Sequence, residues 1–299
     1  MSAFALIMLC IIGLCWGSFL NVLILRTISG ESIIAPASKC PHCGTPLANW
    51  QKIPIISYII LKGKCYFCNG KISLIYPIME IVGAAIVLFA FLKNPSKLDA
   101  ISVTMILSMF LTMAATDIAT KKICTSQAVT AGLFALLLNR HDLISSISGG
   151  LIATLLLIIV IKLFIKFTNN NPFGVGDIYL TAALGTVVGF DKLFLYLIYA
   201  LIIQFLFILP KYIKEQLLSQ NYETLKYLIF FATTCLFLYF LKHAKFFGAN
   251  LLVVILSGLM LFFAYKLSKK LMTAVKSSET LSYSPFAPAI AISCLIFFC

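Results

Sequence analysis

Long apolar segments recur along the whole chain, and short polar stretches separate them. The apolar residues do not alternate with polar ones, as the segment LIATLLLIIVIKLFI illustrates, so the pattern excludes the strands of a transmembrane barrel. Helical membrane spans are predicted instead. They cover residues 3–25, 73–92, 100–119, 123–138, 143–167, 177–190, 193–209, 225–241, 246–267 and 286–298. The pattern predicts an all-α polytopic membrane protein with about eight to ten transmembrane helices.

The composition is that of a membrane protein, and it offers an explanation for the positive net charge. Of the 299 residues, 61% are hydrophobic and 11% are charged, yet the net charge is +13. Membrane proteins concentrate lysine and arginine in cytoplasmic loops. If the N-terminus lies outside, 17 of the 23 basic residues fall on the cytoplasmic side. The charge is therefore explained by topology, and no nucleic-acid partner is predicted.

One polar segment, residues 26–72, is much longer than the others, and we call it the cysteine loop. It contains two CxxC pairs in the knuckles CPHCG and CYFCNG, namely Cys40 with Cys43 and Cys65 with Cys68. Four thiolates at this spacing form a tetrahedral zinc site with no open position for catalysis. Cytoplasmic thiols stay reduced, which favours metal over disulfides. We expect a structural zinc ion, the alternative being chance or redox-active CxxC pairs.

Two aspartates lie near the ends of predicted spans on the same side of the bilayer. Asp117 ends the third span, and Asp177 begins the sixth behind the sequence GVG. Two carboxylates held close together share one proton, so one activates water while the other polarises a peptide carbonyl. The alternative interpretations are structural: Asp177 is the N-cap of its helix, or Asp117 pairs with Lys121 or Lys122.

Several motifs follow one another in a fixed order along the chain. They are GSFLNVLILR at 17–26, the two CxxC pairs, YPIMEIVG at 76–83, Asp117, GVGD at 174–177 and PFAP at 285–288. Together they resemble the type IV prepilin peptidase family of GxGD-type intramembrane aspartic proteases, the prepilin leader peptidase/N-methyltransferases of bacterial inner membranes.

This resemblance implies a site, an activity and partners. Asp117 and Asp177 match the family's catalytic aspartates, and the four loop cysteines match its zinc ligands. The family removes the leader peptide of prepilins and pseudopilins, the substrates of pilus and type II secretion systems, on the cytoplasmic side after a glycine. Many members then methylate the new N-terminal residue with S-adenosylmethionine. Glu80 is a candidate for that second site through the match to YPxxE, the alternative being a helix-start acid at the membrane interface.

The chain departs from the family pattern at several places. Cys124 stands where a proline is usual, Tyr179 stands where a lysine is usual, and residues 225–267 look like an inserted helix pair. The predicted organisation is a first transmembrane helix (1–25), the cytoplasmic four-cysteine loop (26–72) and a multi-span aspartic peptidase domain (73–299).

Two other classes of function also fit part of the sequence. The membrane-facing aspartates fit a transporter that relays protons or binds a cation. The cysteine loop fits a membrane scaffold that binds a cytoplasmic partner. Neither explains the cysteine loop and the paired aspartates together.

Overall fold

The computed structural model of the protein describes residues 2–32, 34, 37–168, 174–218 and 285–299. Every regular element named in this part of the chain is a helix, which confirms the predicted all-helical fold. In chain order the elements are α1 (Ala3–Ser29), a 3-10 helix (Asn49–Lys52), α2 (Ile56–Ile60), α3 (Ile75–Lys93), α4 (Lys97–Thr120), α5 (Thr125–Leu138), α6 (Leu143–Thr168), α7 (Val175–Val188), α8 (Phe190–Leu218) and α9 (Ala287–Phe298).

Four helices in the described part of the chain are long and apolar enough to cross a membrane. They are α1, α3, α4 and the Leu143–Leu163 part of α6. Helices α5, α7 and α9 are apolar but shorter. The protein is a multi-pass membrane protein. The predicted spans 225–241 and 246–267, and with them the inserted helix pair, lie outside the described residues.

The first helix is longer than the apolar pattern predicts. The predicted span stops at residue 25, whereas α1 continues to Ser29 and ends at Gly30 with φ of 72°. Arg26 lies in the last turn, where a cation complements the negative end of the helix dipole. Hydropathy locates the apolar part of a helix, but backbone hydrogen bonding continues until a residue accepts the left-handed conformation.

Helix α4 forms the centre of the described core. It packs against α1, α3, α5 and α9, and more than half of its residues are buried. Ile106, Phe110 and Met113 have essentially no exposed surface, and Leu184 of α7 and Ile290 of α9 complete the same cluster. A helix buried on most of its circumference fixes the position of its C-terminal residues, including Asp117.

Helices α1 and α3 pack closely because glycines face each other between them. Gly13 and Gly17 form a small-xxx-small pattern in the sequence GLCWG. A Cβ atom on Gly13 would lie 2.5 Å from Cα of Ala84, and one on Gly17 would lie 2.7 Å from Cα of Glu80. Such glycines allow backbones to approach in membrane helices. The contact places the first turns of α3 directly against α1.

The chain divides into two compact units. The first comprises Met1–Val160, Gly174–Leu201 and Pro285–Cys299, and it contains both candidate sites. The second comprises Ile161–Phe173 and Ile202–Ser284, and most of it lies outside the described residues.

Candidate active site and metal centre

Asp117 lies in the last turn of α4 and is 5% exposed. Its Oδ2 atom accepts a hydrogen bond from the backbone N–H of Ala287 at 2.9 Å, and the backbone N–H of Phe286 also hydrogen-bonds this carboxylate. Both groups belong to the start of α9, where N–H groups have no intrahelical partner. The alternative pairing of Asp117 with Lys121 or Lys122 stays a prediction. The positive end of the α9 dipole stabilises a charge on Asp117.

Asp177 lies in the first turn of α7 and is 9% exposed. Gly174 is the N-cap of this helix, and its backbone N–H donates to Oδ2 of Asp177 at 2.8 Å. The interpretation of Asp177 as the N-cap is therefore wrong, because it is the third helical residue and its side chain reaches back to the cap. The N-terminal end of α7 stabilises a negative charge at this position.

Gly176 allows the start of α7 to approach the connection between α4 and α5. A Cβ atom on Gly176 would lie 2.7 Å from Cβ of Ile123, closer than two such atoms approach in proteins. Ile123 follows Asp117 by six residues. Among the described residues, the nearest atom to an added Cβ at Gly174 would be Oδ2 of Asp177 at 3.8 Å, an ordinary contact. The second glycine of GVGD is thus the one that close packing requires.

The two buried carboxylates are brought into one site by helix packing. Helix α7 contacts α5 and α9, and α9 contacts α4. The charge of Asp117 acts electrostatically on Asp177 across this junction. The end of α4 and the starts of α7 and α9 therefore form one site.

The four loop cysteines form a single cluster. The sulfur atoms of Cys40, Cys43, Cys65 and Cys68 all lie within 4.8 Å of one another. Cys40 and Cys65 are buried, whereas Cys43 and Cys68 are exposed. Four cysteine sulfurs at this separation can surround one tetrahedral zinc ion. The residues thus fit the metal predicted from the spacing of the two CxxC pairs.

The two knuckles have the same backbone geometry. The N–H of Gly44 donates to the carbonyl of Cys40 at 2.9 Å, and the N–H of Asn69 donates to the carbonyl of Cys65 at 3.0 Å. Gly44 and Asn69 both have positive φ, a conformation that glycine and asparagine accept most readily. The turn residues of CPHCG and CYFCNG thus explain why each pair of sulfurs points to the same side.

The thiols differ in how readily they ionise. Hydrogen bonds between Cys43 and the side chain and backbone of Thr45 lower the pKa of Cys43 to about 6. The backbone N–H of Gly70 favours a thiolate at Cys68, but partial loss of hydration and the neighbouring cysteine sulfurs outweigh it and raise the pKa of Cys68 to about 11. Several thiolates this close require a cation between them. His42 is not part of the cluster; its ring packs over Gly70 of the other knuckle, 2.9 Å from where a Cβ would lie.

Glu80 connects the cysteine loop to α3. It is 8% exposed, and its Oε2 atom accepts a hydrogen bond from the backbone N–H of Ile55 at 2.7 Å. Ile55 has φ of 60°, an unfavourable conformation for a β-branched residue that surrounding contacts must maintain. The structure therefore gives Glu80 a positioning role for the loop.

A cleft of about 610 Å³ separates the cysteine loop from α1 and α3. Its lining includes Ser18 of α1, Tyr58 of α2, Tyr76 and Glu80 of α3, and His42 of the first knuckle. The volume lies in the range of small-molecule sites, which are mostly apolar with a few polar groups. Glu80 places a carboxylate on the wall of this cleft.

Two features of the structure were missed by sequence reasoning. The first is that the N–H groups bonded to Asp117 come from the start of α9. The only sequence signal for this helix start is the motif PFAP, which precedes the last apolar segment.

The second feature is Gln127, near the start of α5. It is 4% exposed, and neither of its amide atoms has a hydrogen-bond partner in the described part of the chain. Buried amides of this kind bind ordered water. No pattern in the sequence distinguishes Gln127 from an exposed glutamine.

Comparison with known proteins identifies relatives. Residues 11–94 match the family described as Bacterial Peptidase A24 N-terminal domain. A prepilin leader peptidase/N-methyltransferase of Klebsiella pneumoniae is 34% identical over 192 residues, which cover 60% of this chain and 84% of the relative. Proteins of the same name from Myxococcus xanthus and Neisseria gonorrhoeae are each 30% identical, over 65% and 64% of this chain and 59% and 77% of their own lengths.

No solved structure matches the chain significantly. The Klebsiella and Neisseria relatives both exceed 70% coverage of their own lengths at 30% identity or more. The order of the motifs, the four-cysteine cluster and the helical membrane fold agree with these matches. The chain belongs to the prepilin leader peptidase/N-methyltransferase family.

Proposed function

We propose that this protein removes the leader peptide of type IV prepilins or pseudopilins by aspartyl catalysis. The observation that carries the proposal is the pair of buried carboxylates, Asp117 and Asp177, each held by backbone N–H groups at a helix N-terminus. The names of the relatives support the substrate class.

The proposed chemistry uses the shared proton of the pair. One carboxylate is ionised and takes a proton from a water molecule that attacks the scissile carbonyl. The other is protonated and polarises that carbonyl. The helix N-termini stabilise the single negative charge, so no neighbouring lysine or arginine is required. Both roles need a group that ionises, which an amide does not provide.

The zinc ion has a structural role in this proposal. Cys40, Cys43, Cys65 and Cys68 would hold it, and all four positions around the ion are then filled by protein. The ion supplies positive charge that allows four thiolates to lie close together. The loop folded around it presents α2 and the 3-10 helix to the helical core.

We propose N-methylation as a second activity, supported by the names of the relatives. S-adenosylmethionine supplies an activated methyl group on a sulfonium cation. The cleft beside Glu80 is the candidate site because its volume suits a small molecule and its wall carries a carboxylate. Tyr58 and Tyr76 offer aromatic surfaces on the same walls, which favour a cation.

We propose that the loop and the aspartates face the cytoplasm of a bacterial inner membrane. The distribution of basic residues supports this orientation, because 17 of 23 lie on that side when the N-terminus is outside. The chain would then comprise a first transmembrane helix (1–25), the cysteine loop and a multi-span peptidase domain (73–299). None of the reported relatives is named as a transporter, and the transporter hypothesis does not explain the cysteine cluster.

The test is direct. Purified protein in detergent is incubated with a prepilin, with and without S-adenosylmethionine, and the N-terminus of the product is determined by mass spectrometry. We expect a product that begins after the leader glycine, and a mass increase of one methyl group when the methyl donor is present. An intact prepilin after incubation with well-folded protein would reject the proposal.

A further inference from the structure

Helix α2 of the cysteine loop exposes an apolar face. Ile56, Ile59 and Ile60 are 55%, 66% and 62% exposed, and their spacing places them on one side of the helix. Ile53, just before the helix, is 43% exposed. Tyr58, on the other side of the helix, lines the cleft. A loop surrounded by water would not be expected to turn four isoleucines outward.

The position of α2 along α3 indicates what covers this face. The N–H of Ile55, immediately before α2, bonds Glu80, the sixth residue of α3. At 1.5 Å per residue, Glu80 lies roughly 7 Å along α3 from the first residue of that helix, and α2 starts beside it. Leu74, Ile75 and Ile78 at the start of α3 are themselves more than half exposed. The isoleucine face thus lies near the first turns of a membrane-spanning helix whose own apolar residues are exposed.

The charges and aromatic residues around α2 fit a lipid surface. Lys52, Lys62 and Lys64 flank the helix and are exposed, and Glu31 is the only acidic residue in the cysteine loop. Trp50, in the 3-10 helix before α2, contacts Tyr66 edge to face at 5.8 Å, and both rings are exposed. Tryptophan and tyrosine are enriched at membrane interfaces, and lysines there attract anionic lipids.

We propose that α2 lies in the interface of the leaflet on the loop's side, with its isoleucines among the acyl chains and the flanking lysines at anionic headgroups. Short amphipathic segments bind membranes in this way, through buried apolar area together with charge attraction. The cysteine loop is then attached to the bilayer at α2 as well as at its two ends. A prepilin segment is the competing occupant of the same face.

The experiment measures the depth of α2 in the full-length protein. The chain has two tryptophans, Trp16 and Trp50. In the Trp16→Phe/Trp50→Phe background, Ile59→Trp places a single fluorophore on the apolar face, and Ile60→Trp is a second reporter. The matched control is Tyr58→Trp, on the opposite side of the same helix. Each variant is placed in phosphatidylcholine/phosphatidylglycerol nanodiscs that contain brominated lipids, and iodide serves as the aqueous quencher.

We expect brominated lipids to quench more than half of the fluorescence at positions 59 and 60 and much less at position 58. Iodide should have little effect at 59 and 60. Omitting phosphatidylglycerol should reduce the lipid quenching, and Lys52→Gln/Lys62→Gln/Lys64→Gln should remove this dependence. The proposal is overturned if both reporters are open to iodide and insensitive to brominated lipid. It is equally overturned if they respond only when a prepilin is added.

Discussion

At the scale of single residues, the candidate active site combines two acids with two helix ends. Asp117 accepts hydrogen bonds from the first residues of α9, and Asp177 accepts one from the N-cap of its own helix. An ionised side chain near the membrane is costly unless protein groups replace water. Backbone N–H groups at helix N-termini do so without a counter-cation. A pair held in this way can retain the single negative charge that the proposed mechanism requires.

Gly176 tests whether the position of Asp177 matters for the reaction. An alanine at this position would press against Ile123, because its Cβ would lie 2.7 Å from that of the isoleucine. Relief of such a contact shifts the backbone, and a displacement of about 1 Å at a catalytic group lowers activity roughly 100-fold. We expect Gly176→Ala to reduce leader cleavage by at least tenfold, as measured by gel assay of prepilin processing. The matched control is Gly174→Ala, where the described residues leave space for a Cβ, and it should stay within about threefold of wild type.

Two substitutions at Glu80 distinguish a role in positioning the cysteine loop from a role in methylation. Gln at this position keeps an oxygen that accepts the hydrogen bond from Ile55, whereas Leu does not. We expect Glu80→Gln to retain cleavage and zinc, and Glu80→Leu to weaken the attachment of the loop, detected as faster proteolysis of the loop. If the carboxylate charge also serves methylation, Glu80→Gln should lose methyl transfer more than tenfold while cleavage persists. Full methylation by Glu80→Gln would exclude Glu80 as a charged contact of the methyl donor.

At the scale of elements, the cysteine loop depends on its two knuckles meeting. The loop carries one buried and one exposed cysteine in each knuckle, and beyond the end of α1 the helices in its described residues are one 3-10 helix and α2. Small domains with so little core rely on the metal for stability. The fold of the loop and its metal content should therefore change together.

We expect purified protein to carry about one zinc ion per chain, measured by elemental analysis. Cys40→Ser should lose the metal, and the Cys40→Ser/Cys65→Ser variant should contain none. The loop should then become sensitive to proteolysis, and leader cleavage should fall as an indirect effect. Cys299→Ser, an exposed cysteine outside the cluster, is the control and should keep full zinc content. Stoichiometric metal in the double variant would contradict the assignment.

The start of α9 supplies a hydrogen bond to a side chain that is distant in the sequence. Ala287 is separated from Asp117 by 170 residues, yet its N–H group bonds that carboxylate. Pro288, in the first turn of α9, favours a helix start at this point. The sequence marks the start of the helix, but only packing reveals which side chain its N–H groups contact.

At the scale of the whole molecule, the hydropathy pattern predicts where helices occur, whereas the contacts between their side chains are seen only in the structure. The predicted segments 73–92, 100–119 and 143–167 agree with α3, α4 and α6 to within three residues, because an apolar run longer than a bilayer's thickness permits few alternatives. The four cysteines were predicted as a group because their spacing carries the geometry of the site. Three other contacts join segments that are distant in the sequence, and the periodicity of apolar residues does not predict such contacts. They are the hydrogen bonds to Asp117, the hydrogen bond between Ile55 and Glu80, and the contact of Gly176 with Ile123.

The most direct test of the account is cleavage of a prepilin by Asp117→Asn, Asp177→Asn and the double variant. Asparagine keeps the size of the side chain and an oxygen for the N–H groups of Gly174 or Ala287, so folding and zinc content should remain normal. It does not ionise, so we expect each single variant to lose cleavage by several orders of magnitude. The double variant should be scarcely worse, since the two residues act as a unit. Near-wild-type leader removal by either well-folded single variant would contradict the proposed aspartyl pair.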